Sequence, residues 1–376
     1  MELIVNDRYR SSLSDDGYSW SVLKYNPLRS TYEFVYTSSR FQFEINRMIL
    51  QDFDNDRIPE LLLNENDNLH IIDVNTHEVL ENIALDNVGF TPFYSVQIRY
   101  GDVDNDGQNE IIVGGSAGLS IINANTFEIE RHLGEDADQF DVGNVDNDPA
   151  IEIAFKSGKV WEIQGTNITT EYTFRNPQGN TQYDLLELED IDNDSKEEAV
   201  MHVSSDTLRV FDIDILATKY VRFIDTRISA MIITDVQSDG VKEILYTCSD
   251  EDDFYCVRAS SGAPLWKIEN PYANGLGIAL ADIDQDGEKE ILWTNNSTYG
   301  VIQVYDAVTR IKEWTNHPSG SPYYGIEIAD LDADQNPELI MISSLQGDLR
   351  IFDAFTKEIE YQSVTDLFPK PIRGTY

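Results

Sequence analysis

Seven times along 376 residues the chain writes an acidic nonamer whose best copies read DxDxDGxxE. The copies are "DFDNDRIPE" (52 to 60), "DVDNDGQNE" (102 to 110), "NVDNDPAIE" (144 to 152), "DIDNDSKEE" (190 to 198), "DVQSDGVKE" (235 to 243), "DIDQDGEKE" (282 to 290) and "DLDADQNPE" (330 to 338). Their first positions are spaced by 50, 42, 46, 45, 47 and 48 residues. A period of this size means that one supersecondary unit is repeated, and it limits the fold more tightly than any local propensity does.

Each copy stands in the same surroundings. An alternating run such as "SVQIRYGD" precedes it, and a dense apolar run such as "EIIVGG" or "ELIMIS" follows. Next come a short polar loop, a strand such as "GLSIIN" or "DLRIFD", a tight turn and a last strand such as "EIERHL". Period-two alternation and β-branched residues mark strands, and no repeat shows a helical period. Four strands per repeat describe the blade of a β-propeller. The whole chain, 1–376, is therefore expected to be one all-β propeller domain, with motif-bearing repeats starting near 44, 94, 139, 183, 228, 275 and 323. The nonamer should join the first and second strands of each blade. Its second position is always apolar (Phe53, Val103, Val145, Ile191, Val236, Ile283, Leu331) and should plug the layer between blades.

Residues 1–38 contain no nonamer but keep the rhythm. "ELIVND" (2 to 7) resembles "ELLLNEN" (60 to 66), and "YSWSVLKYNPLRSTYEFVYTS" (18 to 38) has the strand, turn, strand form that ends the other repeats. They read as three strands of a further blade, whose fourth could come from residues 365 to 376. Eight blades are expected, with seven as the alternative.

Carboxylates at positions one, three and five of a turning loop converge on one side, and a carboxylate at nine can reach back from the next strand. Hard oxygen ligands in that number suit Ca²⁺, which takes six to eight oxygens in flexible geometry. The glutamate stands at nine rather than twelve and the flanks are strands, so the loop is not an EF-hand. Free acidic turns are the plain alternative, since Asp and Asn are common turn residues; turn chemistry, however, does not require a glutamate at position nine in every copy.

These loops resemble the FG-GAP and VCBS repeats of integrin α-subunit headpieces and many secreted bacterial proteins, and the resemblance covers almost the whole chain. It implies calcium, up to seven ions, held as structural braces. The implied ligands are Asp52, Asp54, Asp56 and Glu60 in the first repeat, and Asp102, Asp104, Asp106, the Gln108 carbonyl and Glu110 in the second. The third and fourth offer Asn144, Asp146, Asp148 and Glu152, then Asp190, Asp192, Asp194 and Glu198. Asp235, Gln237, Asp239 and Glu243 follow in the fifth, Asp282, Asp284, Asp286 and Glu290 in the sixth, and Asp330, Asp332, Asp334 and Glu338 in the seventh. Position six favours positive φ and is glycine only at Gly107, Gly240 and Gly287, so Arg57, Ser195 and Gln335 should carry strain there. Pro149 cannot adopt that conformation. The third loop should therefore be shaped differently and, with Asn144 replacing a carboxylate, be the one most inclined to stay empty. The fifth, with neutral Gln237, should bind more weakly.

Sixty-eight acidic against 27 basic residues give a net charge of -41, which repels nucleic acid and anionic lipid. Seven bound ions would move it to about -27. No run approaches the ~18 apolar residues of a membrane span. "MELIVNDRYR" lacks a basic region followed by an apolar one, so no secretory leader is read in it. Loops of this kind fill at about 10⁻⁴ to 10⁻³ M Ca²⁺, which implies an extracellular, cell-surface or periplasmic setting. Cys248 and Cys256 could bridge across a hairpin or serve as small apolar thiols.

Function should sit on the loops away from the metals, where Phe93, Tyr94, Tyr183, Tyr272, Tyr323 and Tyr324 offer aromatic surface to a glycan or a protein. Tyr94, Tyr183, Tyr323 and Tyr324 stand six to eight residues before their nonamers and could instead be repeated packing residues. Three functions follow: a protein- or glycan-binding adhesion module, a polysaccharide-active enzyme similar to the rhamnogalacturonan lyases, or a spacer in a larger surface protein. The five histidines form no cluster in the sequence, and no GxSxG, HExxH, Walker loop or dinucleotide fingerprint is present, which weighs against the enzyme.

Overall fold

A computed structural model describes residues 2–9, 17–43, 45–85, 97–174, 185–203, 207–224, 228–248, 253–269, 275–295, 301–316, 323–343 and 349–363. They form 31 strands and no helix. The strands make eight antiparallel sheets in simple sequential order, seven of four strands and one of three. The fold is an all-β propeller of eight blades. Blade 1 has the three strands Glu2–Tyr9, Gly17–Asn26 and Thr31–Thr37. Blade 2 sets the pattern for the rest with Ile45–Gln51, Glu60–Glu65, Asn68–Asp73 and Val79–Ala84. Blades 3 to 8 begin at Gln97, Phe140, Leu185, Ile228, Gly275 and Tyr323, within six residues of the repeat starts read from the sequence. Each nonamer lies between the first and second strands of its blade.

The described residues fall into two compact units. One is Met1–Ile45, Ile228–Arg258 and Pro264–Tyr376, the other Asn46–Arg227 and Ala259–Ala263. Within each, the core is a series of apolar layers between neighbouring blades. In blade 3, "EIIVGG" sends Ile111 and Val113 into the layer shared with blade 2, and Ile112 into the layer shared with blade 4. Alternate side chains point to opposite faces of a strand, so a strand covered on both faces must be apolar throughout. All six of its residues are buried, whereas the fourth strand of blade 2 is almost wholly exposed. The second-position residues do plug these layers: Phe53, Val103, Val145, Val236, Ile283 and Leu331 each belong to one, and Ile191 is 1% exposed.

One irregularity recurs in every sheet. The third and fourth strands slip register by one residue, which leaves a single bulged residue on the fourth. In blade 1 the same slip falls between its second and third strands, at Val35. That identifies the three strands of blade 1 as equivalents of the second to fourth strands elsewhere. Blade 1 packs Val5, Leu23 and Tyr32 against Leu331, Ile340 and Ile351 of blade 8, and the Tyr32 hydroxyl donates to Glu360 Oε2 at 3.2 Å. The fourth strand expected from 365 to 376 lies outside the described residues.

Cys248 and Cys256 are not joined in a disulfide, and both are buried. The hairpin that carries them pairs Cys256 with Leu245 rather than with Cys248, which pairs with Ile228 on the other side. Burial pushes the Cys256 thiol up to about 12, so both serve as small apolar side chains.

Candidate metal centres

The nonamers fold around their own carboxylates. In six of the seven the position-six N–H donates to Oδ2 of the position-one aspartate: Arg57 to Asp52 (2.9 Å), Gly107 to Asp102 (3.1 Å), Ser195 to Asp190 (3.0 Å), Gly240 to Asp235 (2.8 Å), Gly287 to Asp282 (3.1 Å) and Gln335 to Asp330 (3.2 Å). In all seven the position-seven N–H donates to Oδ1 of the position-five aspartate, as Ile58 does to Asp56 at 2.7 Å. Closing these turns requires positive φ at position six, where Arg57 (76°), Ser195 (72°) and Gln335 (78°) join the three glycines. Position four needs it too, at Asn55, Asn105, Asn193, Ser238, Gln285 and Ala333. Asparagine tolerates this region best among the non-glycines, which accounts for the DND spelling of several copies.

The loop at 144 to 152 is shaped differently, as Pro149 requires. It has no positive φ, and Asn144 Nδ2 donates to the Asp148 carbonyl at 2.8 Å.

The position-nine glutamate does the same thing everywhere. Its Oε2 accepts the N–H of the position-two plug: Phe53 to Glu60 (2.9 Å), Val103 to Glu110 (3.0 Å), Val145 to Glu152 (2.9 Å), Ile191 to Glu198 (3.1 Å), Val236 to Glu243 (3.1 Å), Ile283 to Glu290 (2.6 Å) and Leu331 to Glu338. All seven glutamates are buried. The second oxygen has no hydrogen-bond partner in Glu110, Glu152, Glu243, Glu290 and Glu338, and the same is true of Asp52 Oδ1 and Asp104 Oδ1. Burying an unsatisfied carboxylate oxygen is costly, and native proteins rarely do it without an ion or ordered water to supply the missing partner.

Electrostatics show the same deficit. Burial first, and then the aspartates of the same loop, push Glu110, Glu152 and Glu338 up to about 8 and Glu290 up to about 7. Glu60, Glu198 and Glu243 are raised as well, again chiefly by burial. Carboxylate oxygens of Asp330, Asp332, Asp334 and Glu338 all lie within 4.8 Å of one another, as do those of Asp52, Asp54 and Glu60, of Asp102, Asp104 and Glu110, of Asp146, Asp148 and Glu152, and of Asp190, Asp192 and Asp194. Ligands about 2.4 Å from one ion can be at most about 4.8 Å apart, so these clusters fit a calcium-sized shell. In blades 2 and 3 the fifth-position aspartates, Asp56 and Asp106, stand outside the tight group. Gln108 bridges its neighbours, its side chain accepting from Asn125 Nδ2 at 3.1 Å, while Gln237 is exposed.

Blade 5 differs from the motif reading. Lys219, from its fourth strand, places Nζ 2.5 Å from Asp192 Oδ2, 2.8 Å from Glu198 Oε1 and 3.5 Å from Asp212 Oδ2. Burial disfavours its charge, but the Asp192 and Glu198 contacts outweigh that and hold the ammonium above the ordinary lysine range. The glutamate oxygen that is unsatisfied in five other blades is here bonded to a lysine.

Of the aromatic candidates for the other face, Phe93, Tyr94, Tyr183 and Tyr272 lie outside the described residues, as does the side chain of Tyr324. Tyr323 is fully buried between blades 7 and 8, and Arg350 Nη1 donates to its hydroxyl at 3.0 Å. It takes the packing role, not the ligand-facing one.

No family model matches the chain, and no curated protein does. Solved structures match it as a fold. Dihydro-heme d1 dehydrogenase NirN in complex with DHE superposes with a TM-score of 0.65 at 14% identity, covering 97% of this chain and 73% of that one. The computationally designed Ika8 protein gives 0.59 at 12%, covering 92% and 95%. BBS1N, crystallised in complex with ARL6DN, gives 0.54 at 11%, covering 82% and 92%. At these identities the likeness is one of architecture.

Proposed function

We propose that the chain is a calcium-braced propeller of the FG-GAP/VCBS kind that acts outside the cytoplasm as a binding module, with a protein as its partner. The observation that carries the calcium reading is the buried position-nine glutamate. One of its oxygens is spent on the backbone and the other is left facing aspartates, in blade after blade. A divalent ion satisfies that oxygen and neutralises the loop together. The ions would brace corners; nothing in the donor set calls for them to do chemistry.

The rigid sheets would then hold the remaining loops for recognition, the usual division of labour between scaffold and loop. A propeller of similar architecture, BBS1N, was crystallised in complex with a protein, ARL6DN, which favours a protein over a glycan here. The chain's -41 charge suits a basic or calcium-bridged surface on that partner. The test is affinity capture with 2 mM Ca²⁺ and with EDTA, run beside a glycan array. A saturable, calcium-dependent protein partner supports the proposal. Glycan binding alone would move the reading to a lectin, turnover of a polysaccharide on the array would move it to an enzyme, and no binding to either would leave a spacer.

A further inference from the structure

Seven sheets carry a nonamer, and each has one bulged residue on its fourth strand: Leu80, Glu130, Glu171, Lys219, Leu265, Glu313 and Glu360 in blades 2 to 8. Where this residue is charged, it sits beside the acidic loop of its own blade. Glu130 adds its charge to Asp104 and Glu110, Glu171 to Asp146 and Glu152, Glu313 to Asp284 and Glu290, and Glu360 to Asp332 and Glu338. In blade 5 the same place belongs to Lys219.

We infer that a charged bulge residue decides which cation its loop holds: Glu171 completes a divalent site in blade 4, and the Lys219 ammonium occupies blade 5 in place of an ion. The inference rests on the calcium reading of the loops and assigns it blade by blade. In blade 4 the position-one carboxylate is replaced by Asn144, whose amide is turned to the Asp148 carbonyl. Glu171 restores the lost carboxylate from the fourth strand, so Asp146, Asp148, Glu152 and Glu171 again make four. Two of their oxygens, Glu152 Oε1 and Glu171 Oε2, are buried without a partner, and Glu152 is 0% exposed. The Tyr172 hydroxyl already donates to Asp146 Oδ2 at 3.0 Å, which fixes that ligand in place.

Blade 5 is the internal control. Its Glu198 is as buried as the others and makes the same bond to its plug, yet its second oxygen is satisfied because Lys219 Nζ lies 2.8 Å away. A positive charge is therefore what this corner needs. The backbone of the loop is unchanged, with Ser195 N–H on Asp190 and Lys196 N–H on Asp194. The loop that looks weakest in sequence is thus built for an ion, and one that looks complete is closed to it.

The test is the calcium count of the full chain, measured by atomic emission after dialysis against 1 mM Ca²⁺, with a Tb³⁺-soaked crystal to place the ions. We expect an ion in blade 4 and none in blade 5. Lys219→Glu should add one ion per chain, a gain that misfolding cannot imitate. Glu171→Gln should remove the blade 4 ion while far-ultraviolet circular dichroism stays unchanged. An ion in blade 5 of the wild-type chain, with Lys219 swung away, overturns the inference. So does a Lys219→Glu chain that keeps the wild-type count, or a Glu171→Gln chain that retains its blade 4 ion. If Lys219→Glu does not fold, the wild-type crystal and Glu171→Gln decide alone. A wild-type chain that binds no divalent ion anywhere fails the calcium reading itself, an outcome distinct from a correct total with the wrong blades filled.

Discussion

Calcium should expel protons from this protein at mildly acidic pH. Without a cation, Glu110, Glu152 and Glu338 are held up at about 8 and Glu290 at about 7. At pH 6.5 the first three are then almost wholly protonated and the fourth mostly so. A bound divalent ion requires the carboxylate form, so filling these four sites should release about four protons per chain at pH 6.5 and fewer than about one at pH 9. Calorimetric titration of Ca²⁺ into the metal-free chain, in two buffers of very different ionisation enthalpy, reads the number directly as the slope of observed heat against buffer heat. If calcium binds at pH 6.5 with a slope near zero, the glutamates are already ionised and their burial does not control the sites as argued.

The same shifts govern stability. These carboxyls are raised above their unfolded value near 4.5, so their contribution to stability is complete below about pH 4.5 and is lost as pH climbs to about 8. In EDTA the melting temperature should therefore fall between pH 5 and pH 8, and millimolar Ca²⁺ should abolish or reverse that fall. Glu110→Ala leaves the buried Val103 N–H only its bond to the Gly101 carbonyl at 3.1 Å and should cost about 1–3 kcal/mol by chemical denaturation in calcium, together with one bound ion. Gly107, at φ 91° with nothing within 4 Å of an added Cβ, should lose about 1–2 kcal/mol on substitution by alanine, from backbone strain alone. Cys248 and Cys256 should resist an aromatic disulfide reagent in native buffer and react at once in guanidinium; fast native labelling would contradict their burial.

Blade number, blade phase and the position of the acidic loops were legible in the sequence because each is a one-dimensional property. The spacing of the nonamers counts the repeats, and period-two alternation switching to an apolar run marks the first and second strands. That residues 1–38 supply three strands of a blade was readable for the same reason, from the likeness of "ELIVND" to "ELLLNEN". Position four of the loop could also have been found, since Asn recurs there four times among the seven copies. So could the turn between third and fourth strands, where Asp73, Asn123, Asp306 and Asp353 accept the N–H of a threonine three residues on. The bulge residues were not legible. Lys219 meets Asp192 across 27 residues of sequence, and only strand pairing with its one-residue slip brings them together. Spacing did offer the packing role that Tyr323 takes, as the alternative to a ligand-facing one.

The plug residue at position two serves both halves of each corner. Its side chain seals an apolar seam, while its own amide proton anchors the glutamate that faces the acidic loop. Whatever pulls on the glutamate therefore tugs the seam, and a loosened seam slackens the grip on the ion. Tolerance at this position should be narrow in two unrelated ways at once, rejecting proline for want of a proton and polar side chains for want of water.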